Sequence, residues 1–278
     1  MRVIKVLNNS LVLTQTDQQS EVIVMGKGLG FQLRPDDDIP EEKIEKVYVL
    51  DSIPEETKSG YLQIFENSSE KLLLEVQNII DHAKKELNTS LSDNLFFTLA
   101  DHLNYAIERS KQQIVVQNKL LLEVQRYYPM EYQIGLAAVQ EINQNLEVHL
   151  PIEEAGNIGF HLVNAQTKNN SMSETMQSIQ MLKDISNLVK HSFPEKELDS
   201  RSFTYTRFLT HLQFFINRII TDEELPNQNM FLLESIEQNA PKEYRVAQKI
   251  KTYVEEELEK SVTQDEVIYL TLHLVRLT

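Results

Sequence analysis

The sequence contains no cysteine and no apolar run long enough to cross a membrane. Within its 278 residues no apolar stretch approaches the roughly 18 residues that a spanning helix needs. The short apolar run after Met1 ends at Asn8, which is too early for the core of a signal peptide. The lack of cysteine excludes a cysteine nucleophile but by itself says nothing about the compartment. We therefore expect a soluble, cytoplasmic protein.

Positive charge is also scarce. The chain has 27 Lys and Arg against 42 Asp and Glu, a net charge of −15. Such a balance argues against non-specific nucleic-acid binding, which depends on basic surfaces. However, residues 1–34 hold four basic and two acidic residues, whereas residues 35–56 hold two lysines and nine acids. If the amino-terminal part binds a nucleic acid, it must use few phosphate contacts and much shape and base recognition.

The first 50 residues contain four short runs rich in β-branched residues. These runs cover residues 3–7, 11–14, 21–25 and 45–50. Runs of this length, separated by Asn, Asp, Gln and Gly, predict a small antiparallel sheet. Because about 50 residues are near the lower limit for independent stability, we expect this domain to dimerise through one face.

Glycine becomes rare after about residue 66, and apolar residues then recur at helical spacing. The pattern predicts a multidomain α and β protein, in which a small dimerising antiparallel β-sheet domain precedes two homologous all-α helical-bundle domains of about five helices each. The predicted boundaries are 1–56 for the sheet domain, 57–65 for a linker, 66–170 for the first bundle and 171–278 for the second.

The homology of the two bundles follows from motifs that occur twice. The segment D-H-L-N-Y-A-I-E-R, which begins at Asp101, returns as T-H-L-Q-F-F-I-N-R, which begins at Thr210. A second motif places a Glu seven residues before a His, and its two copies begin at Glu154 and Glu266. Each predicted bundle thus carries two histidines, one in an early-middle helix and one in the last helix. They are His102, His161, His211 and His273.

Histidine can serve as a base, a metal ligand or a phosphoryl acceptor near neutral pH. An Arg seven residues after the first histidine lies on the same helix face, where it can pair with a carboxylate or with a phosphate on the histidine. A polar residue also follows the second histidine at three residues' distance. The candidate phosphate partners are Arg109, Arg218, Arg276 and Asn164.

Several alternatives compete with a phosphoryl role. Any one of these histidines alone is more often an ordinary helix residue, and His82 and His191 are interpreted as structural or exposed. A metal site built from His102 and His161 is conceivable, but no H-x-x-x-H pair supports it. No G-x-S-x-G and no G-K-[ST] motif is present, so hydrolase and phosphate-loop chemistry are not indicated. The sequence predicts no metal and no cofactor.

The segment from Met25 to Gln32 holds three of the chain's seven glycines. Glycine allows a close approach of the backbone to a ligand, Lys27 can meet a phosphate, and Phe31 can stack on an unpaired base. A plain hairpin turn followed by a core phenylalanine explains the same letters.

Taken together, the motifs resemble one known family. V-I-K-V-L-N-N-S, V-M-G-K-G-L-G-F-Q and I-E-K-V-Y-V-L are similar to the RNA-binding co-antiterminator domain of BglG/LicT-type transcriptional antiterminators. The histidine motifs resemble those of the family's two phosphotransferase-system regulation domains. The resemblance extends over nearly all 278 residues in the family's order.

The resemblance implies a homodimer that binds a leader RNA hairpin and blocks an overlapping terminator. It implies that a sugar-specific permease phosphorylates the first regulation domain, which inactivates, and that HPr phosphorylates the second, which activates. His102, His161, His211 and His273 match the phosphorylation positions. The residues that match the RNA contact surface are Lys5, Asn8, Asn9, Ser10, Gly26, Lys27, Gly28, Phe31 and Gln32.

Three positions depart from the family's usual pattern. Ser10 stands where a third Asn is usual, Lys27 where Arg is usual, and Val275 where an acid is common near His273. Lysine keeps the charge but loses the bidentate phosphate geometry of arginine.

The prediction is an RNA-binding antiterminator that is phosphorylated but is not an enzyme. The alternatives are a phosphoryl-relay protein whose amino-terminal sheet mediates protein contacts only, and a DNA-binding activator. The absence of a helix-turn-helix pattern before residue 56 disfavours the activator.

Overall fold

A computed structural model describes most of the chain, in two compact units, Met1–Asn170 and Ser171–Thr278. No helix in the part described is long and apolar enough to span a membrane. Residues 167–170, at the end of the first predicted bundle, lie outside the described residues. The described residues are 1–16, 18–50, 55–114, 121–166, 171–196, 198–199, 202–223, 225–226 and 228–278.

The predicted amino-terminal sheet is confirmed. Four antiparallel strands pair in chain order. They are β1 (Val3–Val6), β2 (Leu11–Gln15), β3 (Glu21–Met25) and β4 (Lys46–Val49). One short helix, α1 (Leu29–Gln32), follows the glycine-rich loop and was not predicted. A core of Val3, Val12, Val22, Val24, Leu29 and Ile39 fills one face of the sheet.

The first unit continues with helices, as the spacing of its apolar residues predicts. They are α2 (Glu55–Asn67), α3 (Glu70–Leu87), α4 (Leu95–Lys111), α5 (Leu121–Tyr127), α6 (Pro129–Asn145) and α7 (Glu154–Gln166). Local signals set several starts. The Ser69 side chain accepts the backbone N–H of Leu72 at 3.2 Å and caps α3, and Pro129 occupies the first position of α6.

The second unit repeats the arrangement of α3 to α7. Its helices are α8 (Met172–Ser192), α9 (Phe203–Ile220), α10 (Leu233–Asn239), α11 (Pro241–Leu258) and α12 (Gln264–Leu277), with a 3-10 turn at Met230–Leu232. Ser171 forms a capping box with Glu174, and Pro241 begins α11 as Pro129 begins α6. The first histidine of each bundle lies on its second helix and the other on its last, as predicted.

The segment expected to be a linker, residues 57–65, is helical within α2. Tyr61 and Phe65 lie one turn apart, and their ring centroids are 5.7 and 5.5 Å from that of Phe97 on α4. Burial of these aromatic rings outweighs the weak helix propensity of Ser59 and Gly60. Residues 57–65 thus connect the sheet to the first bundle as part of a helix.

The second face of the sheet packs on the first helical bundle. The register places Lys5, Leu13, Ile23 and Tyr48 side by side on this face. Tyr48 stacks on Phe96 of α4 with ring centroids 4.0 Å apart, and its hydroxyl donates to Gln77 of α3. This aromatic contact joins the sheet and the first bundle into one unit.

Candidate functional site

The two histidines of each bundle meet at the contact between its second and last helices. His102 of α4 and His161 of α7 have ring centroids 4.9 Å apart. The equivalent rings of His211 on α9 and His273 on α12 are 3.7 Å apart and nearly parallel, at 30°. Residues that are distant from each other in sequence thus form one pair in each bundle.

An ion pair joins the two repeated motifs beside each histidine pair. In the first bundle Arg109 donates to the buried carboxylate of Glu154. In the second, Arg218 donates to Glu266 through Nε at 2.8 Å and Nη2 at 2.6 Å, a bidentate contact. The arginine of one motif therefore holds the glutamate of the other, and both bundles use the same connection.

Glu154 also contacts the first histidine pair. Its Oε2 lies 2.9 Å from His102 Nε2 and accepts a hydrogen bond from Asn157 at 2.8 Å. Burial alone would raise the pKa of Glu154, but the hydrogen bonds with His102 and Asn157 and the charge of Arg109 together lower it. An ionised carboxylate at this point favours a proton on His102 Nε2, which leaves Nδ1 unprotonated in the neutral ring.

His161 is nearly enclosed by the first bundle. Burial, followed by the effect of His102, lowers its pKa to about 3. Its Nδ1 has no hydrogen-bond partner among the described residues. The ring is therefore neutral at physiological pH, with a nitrogen lone pair that is available as a nucleophile once the site opens.

The second histidine pair has a different environment. His211 Nδ1 lies 2.5 Å from the Tyr269 hydroxyl, and the Tyr269 ring lies 4.5 Å from that of His273. Burial, then His211 and the cations Arg276 and Arg207, lower the pKa of His273 to about 4. The pKa of His211 is also lowered, by burial and by Arg207, Arg276 and Arg218. Both rings are thus held in the neutral, nucleophilic form.

The structure places the predicted phosphate partners in two different situations. Arg109 and Arg218 are engaged with carboxylates, whereas Arg276 lines an open cavity together with His273. Asn164 is half-buried on α7, one turn after His161. Their roles as phosphate partners stay predictions.

The sequence motifs include Glu154 and Glu266 but give them no role at the site. Two further residues that shape the second site, Tyr269 and Arg207, were not singled out. Each lies one helical turn before a histidine, which is the signal that could have found it.

The structure also bears on two other histidines and on the metal-site alternative. His82 and His191 are exposed, and His191 Nδ1 lies 2.7 Å from the backbone carbonyl of Asn187. Within the described ranges, no group of three or more His, Asp or Glu side chains is arranged to hold a metal ion.

The residues predicted to contact RNA come from two segments that the fold brings together. The Gly30 N–H donates to the Asn9 carbonyl at 2.9 Å, and the Gly26 N–H donates to the Ser10 carbonyl at 3.0 Å. A Cβ on Gly30 would lie 2.1 Å from the Asn8 carbonyl oxygen, so only glycine allows this approach. The turn at 8–10 and the loop at 26–32 therefore form one surface.

The residues of this surface differ in how far they are exposed to solvent. Phe31 is 76% exposed, and Lys27 and Gln32 are exposed beside it. Gly28 adopts a positive φ of 64° at the start of α1, a conformation that suits glycine. Ser10 is buried, and its hydroxyl has no partner in the described part of the chain. An exposed phenylalanine beside a lysine is a surface that fits an unstacked base and a phosphate.

Lys5 and Asn8, also predicted RNA contacts, bind helix α2 in this conformation. Lys5 Nζ lies 2.5 Å from Glu66 Oε1, and the Asn8 side-chain amide donates to the Phe65 carbonyl at 2.8 Å. Asn8 Oδ1 accepts the backbone N–H groups of Ser10 at 2.8 Å and Leu11 at 2.9 Å, which fixes the turn. Part of the predicted RNA surface thus faces helix α2.

Comparison with known proteins agrees with this architecture. Residues 1–57 match the CAT RNA binding domain, and residues 77–165 and 181–277 each match the PRD domain. The chain is 34% identical over 276 residues to the transcription antiterminator LicT of Bacillus subtilis (strain 168), covering 99% of this chain and 98% of LicT. It is also 34% identical to the beta-glucoside operon antiterminator of Dickeya chrysanthemi, covering 99% of this chain and 96% of that protein.

A solved structure shares the fold of the first part. The crystal structure of GlcT CAT-PRDI is 33% identical and superposes with a TM-score of 0.52, covering 60% of this chain and 98% of that one. An amino-terminal RNA-binding sheet joined to helical regulation domains defines the class of protein. The chain belongs to the BglG/LicT-type family of transcription antiterminators, as its sequence motifs predicted.

Proposed function

We propose that this protein is an antiterminator of a sugar-utilisation operon and that phosphorylation of its four paired histidines sets its activity. The sheet domain, as a homodimer, binds a leader RNA hairpin and prevents formation of an overlapping terminator. The protein acts in the cytoplasm, accepts phosphoryl groups as a substrate and is not itself an enzyme. The observation that carries the proposal is the duplicated pair of neighbouring imidazoles.

Neutral imidazole suits phosphoryl acceptance. The unprotonated ring nitrogen attacks the phosphorus of a phosphorylated donor side chain, and the bond between the phosphorus and the donor atom breaks with its electron pair returning to that atom. No oxidant, water or metal is consumed in this exchange. The donors that we propose are HPr for the second regulation domain and a sugar-specific permease for the first.

A phosphoryl group changes the charge of either site by about −1.5 to −2. In the unphosphorylated site, Glu154 Oε2 lies 2.9 Å from His102 Nε2. A phosphoryl group on His102 would therefore lie beside this carboxylate and would be repelled by it. On His211 or His273 it would meet Arg207 and Arg276 instead, the cations that lower the pKa of both rings. This difference in charge supports an inhibitory role for the first domain and an activating role for the second.

The contact of Lys5 with Glu66 and of Asn8 with Phe65 supports control of the RNA surface by the first regulation domain. A change in the first domain that releases α2 from the sheet would free both residues. We propose that phosphorylation adjusts the populations of docked and released sheet, with the released form pairing as a dimer on RNA.

The same contact favours a second candidate, a phosphoryl-relay protein whose sheet mediates protein contacts only. A gel shift of the full chain with the leader RNA of the neighbouring sugar operon separates the two. Saturable binding of the hairpin, lost when the hairpin is unpaired by mutation, supports antitermination; no binding in any phosphorylation state favours the relay.

Reporter assays test the histidine roles. We expect His102→Ala and His161→Ala to give antitermination without inducing sugar, because no inhibitory phosphoryl group can be accepted. We expect His211→Ala to weaken antitermination in cells with working HPr. Unchanged repression in both first-domain variants would remove the inhibitory role, and full activity of His211→Ala would remove the activating one.

A further inference from the structure

A cavity of about 260 Å³ opens beside the second histidine pair. Its lining residues are Phe203, Thr204, Arg207, Phe208, His273 and Arg276. A single water molecule needs a cavity of roughly 10–15 Å³, so this cavity can hold a larger, hydrated group. It lies entirely within the second unit, between α9 and α12.

Two arginines give this cavity its charge. Arg207 lies one turn before His211 on α9, and Arg276 lies one turn after His273 on α12. Both side chains are exposed, and in the described part of the chain neither forms an ion pair with a carboxylate. Glu266, seven residues before His273, is already bound bidentately by Arg218. In a chain with a net charge of −15, these two cations are left facing one cavity.

The first regulation domain lacks both cations. When His102 is aligned with His211, Thr98 takes the position of Arg207. When His161 is aligned with His273, Asn164 takes the position of Arg276. The helical scaffold, a histidine pair and an Arg–Glu contact occur in both domains. The two arginines are therefore a property of the second site alone, and the common fold does not require them.

We propose that Arg207 and Arg276 form an oxyanion site that binds a phosphoryl group beside His273 and His211. The proposal deepens the function proposed above and rests on it. Guanidinium groups recognise phosphate oxygens through charge-assisted, often bidentate hydrogen bonds. The phosphoryl group comes either covalently on one of the two histidines or as a free phosphate, and both sources present the same oxygens to the cavity.

The first arm of the test follows covalent phosphorylation of the full chain. Phosphorylated HPr is the donor, and mass spectrometry of peptides measures the rate of incorporation at His211 and His273 and the lifetime of the product. We expect the double variant Arg207→Gln with Arg276→Gln to lower the measured quantity at least about tenfold, which corresponds to about 1.4 kcal/mol. That quantity is the incorporation rate multiplied by the lifetime of the phosphohistidine. The double lysine variant should recover part of the loss because it keeps the charge.

A matched control removes an arginine elsewhere in the same domain. Arg245→Gln, on the exposed side of α11, should leave both the phosphorylation rate and the phosphohistidine lifetime at the values of the protein without substitutions. Circular dichroism and the RNA gel shift of the unphosphorylated variants check that folding and RNA binding persist. If RNA binding is absent in every form, the proposed function fails, whereas this test still reports on the oxyanion site.

The second arm uses inorganic phosphate with the unphosphorylated chain. Titration should shift the His273 ring resonances in NMR spectra, and the shift should vanish in the double glutamine variant. A change in the first arm alone supports a covalently held phosphoryl group, and a change in the second alone supports a free phosphate. Equal phosphorylation of all variants together with no phosphate-induced shift would overturn the proposal.

Discussion

Arg218 on α9 binds Glu266 on α12 through two hydrogen bonds of 2.8 and 2.6 Å, and the glutamate is fully buried. Glu266 Oε1 also accepts the backbone N–H of Leu225 at 3.1 Å. The pair thus fixes the two helices that carry His211 and His273 and holds the loop that follows α9.

Removal of the arginine should destabilise the second unit strongly. Arg218→Ala leaves the buried Glu266 carboxylate without its cation, which typically costs about 3–5 kcal/mol. Urea unfolding of the full chain measures the loss. The double variant Arg218→Ala with Glu266→Gln should be more stable than Arg218→Ala alone, because it removes the unpaired charge. Glu266→Gln alone completes a double-mutant cycle. Additive losses of stability from the two single variants would contradict a direct coupling of Arg218 with Glu266.

Acid should weaken the second unit in a way that depends on His273. Its folded pKa of about 4 lies below the ordinary value of 6.5. Between these values His273 binds a proton in the unfolded chain but not in the folded chain. The contribution of this ring to the free energy of unfolding is therefore fully present above pH 6.5 and is lost as the pH falls toward 4. The free energy of unfolding should fall more steeply over this range in the unmodified chain than in His273→Gln. Parallel curves would show that the ring does not resist protonation.

Phe31→Ala should weaken RNA binding without unfolding the sheet. The ring is 76% exposed and contributes little to the core, whereas stacking on an unpaired base is worth about 1–3 kcal/mol. The dissociation constant for the leader hairpin should rise roughly 5- to 150-fold. Phe231→Ala, at a 75% exposed phenylalanine of the second unit, provides the control and should bind normally. Equal binding by both variants would remove Phe31 from the RNA surface.

Release of the sheet from the first bundle should increase RNA affinity. Two partly exposed ion pairs flank the docked face, Lys5 with Glu66 at 2.5 Å and Lys46 with Asp81 at 3.4 Å. Each exposed pair contributes about 0.2–1 kcal/mol, so Glu66→Gln with Asp81→Asn should tighten RNA binding by up to roughly thirtyfold. Hydrogen exchange of β1 and β4 should rise in parallel. Unaltered affinity together with faster exchange would show that docking does not limit access to RNA.

RNA binding should also depend only shallowly on salt. Residues 1–34 hold only four basic residues. Few phosphates can therefore be neutralised, and the slope of the logarithm of affinity against the logarithm of salt concentration should be correspondingly small. Gel shifts between 50 and 200 mM salt, about a fourfold range, measure it. A steep slope would require a basic surface from outside the sheet.

Much of the fold could be predicted from local pattern. Short runs rich in β-branched residues marked four strands, and Pro129 and Pro241 begin equivalent helices in the two bundles. The helical conformation of residues 57–65 could not be read in this way, because Ser59 and Gly60 favour a break locally whereas Phe65 gains more from burial against Phe97 of α4. That gain depends on a partner in another helix, which no local pattern contains.

The sequence by itself determined the duplication, the four histidines and the family, because repeats and motifs are properties of the order of residues. Tertiary structure alone decided the pairing of Glu154 with Arg109, the neutral state of His161 and His273, and the convergence of Arg207 and Arg276 on one cavity. Burial and charge at a site are set by residues from separate helices. A pKa or an ion pair therefore exists only once those helices have packed.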